Sequence, residues 1–189
     1  MAHTIQDFKS VLRGGGARPN LFEVVLTDIK GGAEFAADEF SILCKAANLP
    51  ASNVASIDVP FRGRTFKVAG DRTFDPWTIT VINDEDFKIR TAMEQWMQSI
   101  AQYSDGSGFT NPGDYMSDAT VKQLKRVAST TGPNVESGGG LEVAKQYKFY
   151  SIFPTAISAI DLSYDTGDTI EEFTVEFQVQ YWTPITGEN

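Results

Sequence analysis

The chain has 189 residues, of which 41% are hydrophobic and 12% aromatic, and this is enough apolar surface for one compact domain with a core. The formal net charge of -9 disfavours binding to nucleic acid or to an anionic membrane by charge attraction. Because Cys44 is the only cysteine, an internal disulfide and a multi-cysteine metal site are excluded. The sequence has no apolar segment of the kind found in signal peptides or membrane-spanning helices, so neither is expected.

Residues 1–16 are predicted to form an arm that precedes a single domain at 17–189. Ile5, Phe8 and Leu12 recur at spacings of three and four, which indicates a short helix, and a run of three glycines ends it. Such an arm is either a frayed end or a contact with a neighbouring molecule.

The strand predicted at 20–28 places Phe22, Val24 and Leu26 on one face. The opposite face is also partly apolar, which favours burial on both sides, within the domain or by a partner subunit. A meander of further short strands is predicted at 40–50, 54–61 and 64–70, with a turn at 62–64.

A charged segment, Gly70-Asp71-Arg72 with Asp75 after it, is predicted to be a turn in front of a very regular strand. In that strand Trp77, Ile79 and Val81 share one face. The strands on the two sides of the charged segment are predicted to pair as a hairpin.

A helix is predicted at about 87–103, because apolar residues follow one another at spacings of three and four: Ile89, Met93, Trp96, Met97, Ile100 and Tyr103. Asp84, Glu85 and Asp86 stand in front of it. Because a helix start needs hydrogen-bond acceptors and negative charge, we interpret them as capping groups rather than as paired catalytic carboxylates.

The last third of the chain is predicted to form strands at 145–154, 156–165 and 170–182, after a strand at 119–130 and a loop at 131–140. In the last strand an apolar series alternates with a hydrophilic series for ten residues: Phe173, Val175, Phe177, Val179 and Tyr181 against Glu172, Thr174, Glu176, Gln178 and Gln180. The predicted fold is mainly β, with two packed antiparallel sheets, as a sandwich or barrel, and one α-helix.

No catalytic, cofactor or metal site is predicted from the residue types. His3 is the only histidine and lies in the arm, so a histidine-based triad or zinc site within one chain is excluded. Cys44 alternates within a predicted strand without a basic or histidine side chain as a local partner for its thiol, and it is interpreted as a core thiol. The glycine runs at 14–16 and 138–140 lack the lysine of a phosphate-binding loop, and residues 161–172 are interpreted as a turn between strands rather than a calcium loop.

Four segments of the chain are informative together: Arg18-Pro19-Asn20-Leu21-Phe22, Cys44-Lys45-Ala46 with Leu49-Pro50, "VAGDRTFDPWTITVINDED", and "FPTAISAIDLSYD" with "IEEFTVEFQVQYW". They resemble the tail tube protein of contractile-tailed, myovirus-type bacteriophages. The resemblance covers about Ala17 to Trp182, nearly the whole chain.

This resemblance implies a structural protein without catalysis or a cofactor. Six copies are expected to close into a ring, and rings to stack into a tube through which genomic DNA passes without specific binding. The implied partners are the tail sheath protein, the baseplate hub and the tail terminator, without membrane binding by this chain. The implied location is the virion tail, after assembly in the host cytoplasm. The alternative is the tube protein of a phage-like bacteriocin or a type VI secretion machine.

Contacts between subunits or rings are predicted at charged positions of the hairpin and at the arm: Arg62, Arg64, Asp71, Arg72 and Asp75, with Phe8 and Leu12. An intramolecular ion pair that secures a turn is the alternative for the charged group. Glu172 and Glu176 are candidates for the wall of the lumen, where negative charge repels DNA; the alternative is that they face solvent or sheath outside the tube.

Overall fold

A computed structural model describes residues 4–12, 16–30, 37–125, 142–165 and 167–185. The helices in these residues are α1 Ile5–Val11, α2 Ala37–Leu43, α3 Lys88–Ile100 and α4 Pro112–Tyr115. The strands are β1 Phe22–Thr27, β2 Cys44–Ala47, β3 Ser52–Phe61, β4 Arg64–Phe74, β5 Trp77–Ile82, β6 Ser117–Leu124, β7 Val143–Ile157, β8 Glu172–Gln178 and β9 Tyr181–Ile185.

The long strand β7 connects two antiparallel layers. Its N-terminal part pairs with β6 on one side and β9 on the other, whereas its last residues pair with β8. One layer is therefore β1-β6-β7-β9, and the other is β7-β8-β5-β2. Between the two parts of β7, Ser151 has a positive φ of 53°, and its N–H donates to the Asp118 carboxylate at 3.1 Å. This irregular residue lies where β7 passes from one layer to the other.

The two layers pack face to face around aromatic side chains. Trp77 of β5 stacks on Phe149 of β7 with ring centroids 4.9 Å apart, and Phe177 of β8 lies 5.3 Å from Trp77. All three side chains are fully buried, and the indole N–H of Trp77 donates to the carbonyl of Asn48 at 3.0 Å. The prediction of two packed antiparallel sheets is confirmed.

Helix α3 closes one side of this core, as its spacing predicted. Ile89, Met93 and Trp96 are buried, and the indole N–H of Trp96 donates to the carbonyl of Tyr115 at 2.7 Å. Tyr103, predicted on the same apolar stripe, lies beyond the end of the helix and is 76% exposed.

The predicted capping of α3 by Asp84, Glu85 and Asp86 is wrong. The residue before the helix is Phe87, in a left-handed conformation with φ 51°, and no side chain caps the helix. The carboxylate of Asp86 instead accepts a hydrogen bond from the Lys88 ammonium at 3.1 Å. This hydrogen bond, together with the negative charge of nearby Glu39, raises the pKa of Lys88 above its ordinary value. The left-handed turn at Phe87 thus separates the acidic run from the helical N–H groups that it was expected to satisfy.

The segment predicted as a strand at 40–50 divides into α2 and the short β2. Phe40 is fully buried and Ile42 is 80% exposed. Phe40, Leu43 and Cys44 face the core at spacings of three and four residues, so the helical period applies here and the alternating one does not.

Two further strand boundaries differ from the prediction. The strand expected at 156–165 is absent from residues 158–165, because β7 ends at Ile157. The strand expected at 170–182 is interrupted after Gln178, and Tyr181 pairs with Tyr150 in the other layer. One helix was expected in the domain, and the described residues contain the short helices α2 and α4 in addition to that helix, α3. The predicted loop at 131–140 lies outside the described residues.

Candidate assembly surfaces

Strands β3 and β4 form a hairpin that pairs with no other strand in the described residues. Its turn lies at Arg62 and Gly63, both with positive φ, as predicted for 62–64. The turn predicted at Gly70-Asp71-Arg72 is wrong, since β4 continues through it and Arg72 pairs with Val54. The predicted pairing of β4 with the strand from Trp77 is also wrong, because β5 pairs with β2 and β8.

A bulge explains why the charged segment stays within a strand. The register of β3 and β4 shifts between Val54 and Ser56, which leaves Gly70 beside Ala55. A Cβ atom at position 70 would lie 3.3 Å from the Ala55 carbonyl oxygen and 3.2 Å from a side-chain carbon of Ile57. Glycine therefore permits the close approach that this bulge requires.

The hairpin has one apolar face, formed by cross-strand neighbours. Ile57 pairs with Val68 and Val59 pairs with Phe66, while Phe61 continues the row toward the turn. These five side chains, which we call the apolar hairpin face, are between 42% and 66% exposed. Side chains of this size normally pack on a core when they alternate along a strand, so the face has the character of a contact surface.

The opposite face of the hairpin is polar. Asp58 and Lys67 are cross-strand partners and form an ion pair at 2.9 Å. Ser56 lies on the same side as Asp58, and Thr65 on the same side as Lys67, because alternate residues of a strand share a face. The hairpin is thus amphipathic, although neither of its faces packs into the domain core described above.

The charged residues predicted as contacts lie along this hairpin. Arg62 and Arg64 lie at its tip, Asp71 and Arg72 at the bulge, and Asp75 at its base. Within the described part of the chain none of the five forms an ion pair, so the alternative of an intramolecular ion pair has no support there. The Arg62 guanidinium lies 5.4 Å from the centre of the Phe61 ring, and the Asp75 carboxylate accepts from the Asn53 amide at 3.1 Å. Their role as contacts stays a prediction.

The arm forms the predicted helix, α1, and exposes its apolar residues. Ile5, Phe8 and Val11 are 73%, 63% and 79% exposed, and no residue of the helix is buried. Thr4 and Asp7 form a reciprocal capping box at its start, and the hydrogen bonds from Thr4 lower the pKa of Asp7. The helix therefore gains local stability from its cap, while its apolar side chains stay exposed in the described part of the chain.

Both layers end in strands with an unpaired edge. Among the described residues β1 pairs only with β6, and β9 pairs only with β7. In the other layer β2 pairs only with β5, and residues 153–157 of β7 pair only with β8. Each edge carries backbone N–H and C=O groups that are available to another strand.

Glu172 and Glu176 lie on the outward face of β8. Phe173, Val175 and Phe177 alternate with them and are buried. The carboxylate of Glu172 accepts a hydrogen bond from Lys45 of β2 at 2.5 Å. Thr78, Thr80 and Thr174 belong to the same outward face through cross-strand pairing, so this surface is hydrophilic and weakly acidic.

The described residues hold no group of three or more His, Cys, Asp or Glu side chains with metal-binding geometry. No helix in the described ranges is long and apolar enough to cross a membrane. Cys44 is buried at 6% exposure, as expected for a core thiol, and burial raises its pKa to about 12.

Comparison with known proteins decides the family. The family model for the phage tail tube protein matches residues 17–184. The chain is 36% identical to the tail tube protein gp19 of Enterobacteria phage T4 over 171 aligned residues. This alignment covers 89% of this chain and 92% of that relative. The chain belongs to the phage tail tube protein family. The tail tube protein of Serratia phage KSP90 is 25% identical over 180 residues, covering 93% of each chain. This family member is therefore a structural subunit of a phage tail tube.

Solved structures share the fold of this tail tube family member. The sheath-tube complex of an extracellular contractile injection system contains a chain with a TM-score of 0.60 at 12% identity, covering 98% of this chain and 100% of that one. A chain of the anti-feeding prophage cap has a TM-score of 0.61 at 16% identity, covering 91% and 92%. The two-layer β architecture is thus shared with a chain of a sheath-tube complex and a chain of a tube-terminating cap.

The contact residues predicted from the sequence were the five charged residues of the hairpin with Phe8 and Leu12, and the apolar hairpin face was not among them. The signal was present, since Ile57, Val59 and Phe61 alternate with polar or small residues, and Phe66 and Val68 do the same across the turn. It was not recognised because the same alternation also describes a strand that packs on its own core.

Cys44 offers a test of the described packing. Because burial keeps its thiol protonated, we expect native protein to react with a maleimide or disulfide reagent at pH 8 at least tenfold more slowly than protein unfolded in urea. Raising the pH from 8 to 9 should leave the native reaction far slower than the unfolded one. Rapid stoichiometric labelling of native protein would contradict the burial of Cys44.

Proposed function

We propose that this subunit assembles as hexameric rings, that the rings stack into a hollow tube inside a contractile sheath, and that DNA passes through the tube during ejection. The amphipathic hairpin is the observation that carries this proposal, because its apolar face needs a cover that its own domain does not provide. The family supports it, and chains of this fold occur in a sheath-tube complex and a baseplate of contractile injection systems.

Burial of the apolar hairpin face supplies an adequate driving force. Fully burying one large apolar side chain contributes roughly 1.5–3 kcal/mol, and the five residues of the face are each about half exposed. Covering them contributes several kcal/mol per subunit, before the entropy of association is subtracted. Because the hairpin is a different surface from the one that receives it, the contact is heterologous, and such contacts close into rings or continue as filaments.

Unpaired strand edges give the ring its second contact. In each layer two edges face away from each other, so neighbouring copies can continue the sheet around the axis. Closing a sheet in this way satisfies the edge N–H and C=O groups and removes the risk of uncontrolled pairing. The arm helix, with exposed Phe8 and Leu12, is proposed to bridge adjacent rings.

We propose that the hydrophilic face of β8 lines the lumen. Glu172 and Glu176 would then repeat around the wall, and DNA phosphates would be repelled rather than bound. A net charge of -9 for the chain agrees with passage of DNA without specific binding. In the same assembly the sheath protein, baseplate hub and tail terminator contact the outside and the ends of the tube, and assembly takes place in the host cytoplasm before the tail joins the virion.

A tube for an extracellular injection system is the second candidate, and the shared fold favours it. Such a tube need not conduct nucleic acid. The genomic neighbourhood separates the two candidates, since capsid and terminase genes beside this one indicate a phage, whereas a cluster of toxin and injection genes without them indicates the second machine.

The first experiment tests whether the apolar hairpin face drives assembly. Electron microscopy of concentrated wild-type protein should show rings or tubes about a hollow axis. Replacing the cross-strand pair by Ile57→Ser with Val68→Ser should raise the protein concentration needed for assembly by roughly tenfold or more, because a loss of about 1.4 kcal/mol corresponds to tenfold.

The matched control changes the polar face of the same hairpin. Asp58→Ser with Lys67→Ser removes an exposed ion pair, which contributes about 0–1 kcal/mol, and should assemble nearly as well as wild type. Assembly that is equally sensitive to both variants, or insensitive to the first, would contradict a role for the apolar face. Wild-type protein that stays monomeric at every concentration would contradict the proposed function itself.

A labelling experiment tests the lumen assignment. A Glu176→Cys variant should react with a small maleimide both as a monomer and in the tube. A maleimide attached to a polymer that is too large to enter the bore should label the monomer only. The control is Gln98→Cys on the exposed side of α3, which should accept the large reagent in both states if α3 faces outward. Free labelling of position 176 in tubes by the large reagent would show that β8 faces outside.

A further inference from the structure

We propose that the tip of the β3–β4 hairpin docks on the loop between β7 and β8 of a neighbouring copy. This inference rests on the proposed assembly and names the surface that receives the hairpin. The hairpin tip consists of Phe61, Arg62, Arg64 and Phe66. The receiving surface, which we call the acidic loop, consists of six residues of the β7–β8 connection: Asp161, Leu162, Tyr164, Asp165, Asp168 and Ile170.

The acidic loop exposes large apolar side chains that a loop has no local reason to carry. Leu162 is 81% exposed, Ile170 is 72% exposed, and Tyr164 is as exposed as in an extended peptide, at 109%. They surround a cleft of about 640 Å³, within the roughly 300–1,000 Å³ range of clefts that bind ligands. A grouped apolar surface of this kind marks an interaction site.

The same loop carries negative charge that no cation among the described residues pairs with. Asp161, Asp165 and Asp168 are all exposed, and no ion pair within the described residues involves them. Residues of the loop and Glu172 line the cleft, and no hairpin residue is among them. The occupant that we propose for the cleft is the hairpin tip of another copy.

The hairpin tip matches this surface in both chemistry and charge. Phe61 and Phe66 are 64% and 66% exposed, and the Arg62 and Arg64 side chains beside them form no ion pair in the described part of the chain. Arginine forks bind carboxylates by paired, charge-assisted hydrogen bonds. The two aromatic rings of the hairpin tip can thus pack on the apolar side chains of the acidic loop, and its two arginines can bind the carboxylates of that loop.

The hairpin is long enough to reach a neighbour. Strand β3 has ten residues, which at about 3.3 Å per residue extend about 33 Å. Every residue from Asn53 to Ala69 is exposed, so the hairpin projects from its domain along most of that length. Its tip is therefore the part of the hairpin that lies furthest from the base at Asp75.

Charge reversal with rescue tests this contact. Arg62→Glu with Arg64→Glu should raise the concentration needed for assembly by about tenfold or more, and Asp161→Lys with Asp165→Lys should do the same. Combining all four changes in one chain should restore assembly to within about threefold of wild type, because the opposite charges are exchanged across the interface. Circular dichroism of each monomer should match wild type.

Engineered cysteines give a measurement that does not depend on assembly strength. Arg64→Cys with Asp165→Cys should form covalent ladders between copies on oxidation, and buried Cys44 contributes little background. Arg64→Cys with Gln98→Cys is the control and should remain largely monomeric on a denaturing gel.

Two results would overturn the docking proposal while leaving the tube proposal intact. The first is that the arginine-reversal variant and the aspartate-reversal variant both assemble at the same concentration as wild type. The second is that the variant with all four changes assembles no better than either double variant, and that the Arg64→Cys with Asp165→Cys variant forms no covalent ladder on oxidation. Failure of the proposed function is distinguishable, because wild-type protein would then form no rings or tubes in the same assay.

Discussion

The exposed apolar face of the β3–β4 hairpin is the surface that any assembly of this subunit has to cover. Two strands of ten and eleven residues leave the domain together, hold each other by their own ladder, and expose a row of apolar side chains. A hairpin that is separate from a core is marginal in water unless its apolar face is covered. The described residues of the domain leave this face uncovered, and in the proposed assembly another copy covers it.

Folding and assembly use different parts of the chain. The stacked pair of Trp77 and Phe149 joins the two layers, and β7 belongs to both of them, so the sandwich closes without the hairpin. Free strand edges, the exposed helix α1 and the hairpin lie outside that core. The surfaces proposed for assembly are therefore not the ones that hold the core together.

Sequence patterns predicted the parts of the fold where one period dominates. Trp77, Ile79 and Val81 alternate without interruption, and Ile89, Met93 and Trp96 follow the helical period, so β5, α3 and the two-layer core were predicted correctly. The same patterns failed where the chain changes period or direction, as between α2 and β2 or after Gln178. The charged segment at 70–72 was predicted as a turn because its composition suits a turn, yet pairing with β3 and the bulge at Ala55 keep it extended. Contacts that exist only between copies leave no signal that distinguishes them from a core strand.

Cryo-electron microscopy of assembled protein tests most directly whether a neighbouring copy completes the subunit. We expect the five residues of the apolar hairpin face to be buried against another copy, and the free edges of at least one layer to pair with strands of adjacent subunits. A reconstruction in which rings form while this face stays exposed to solvent, with every strand edge still unpaired, would contradict it.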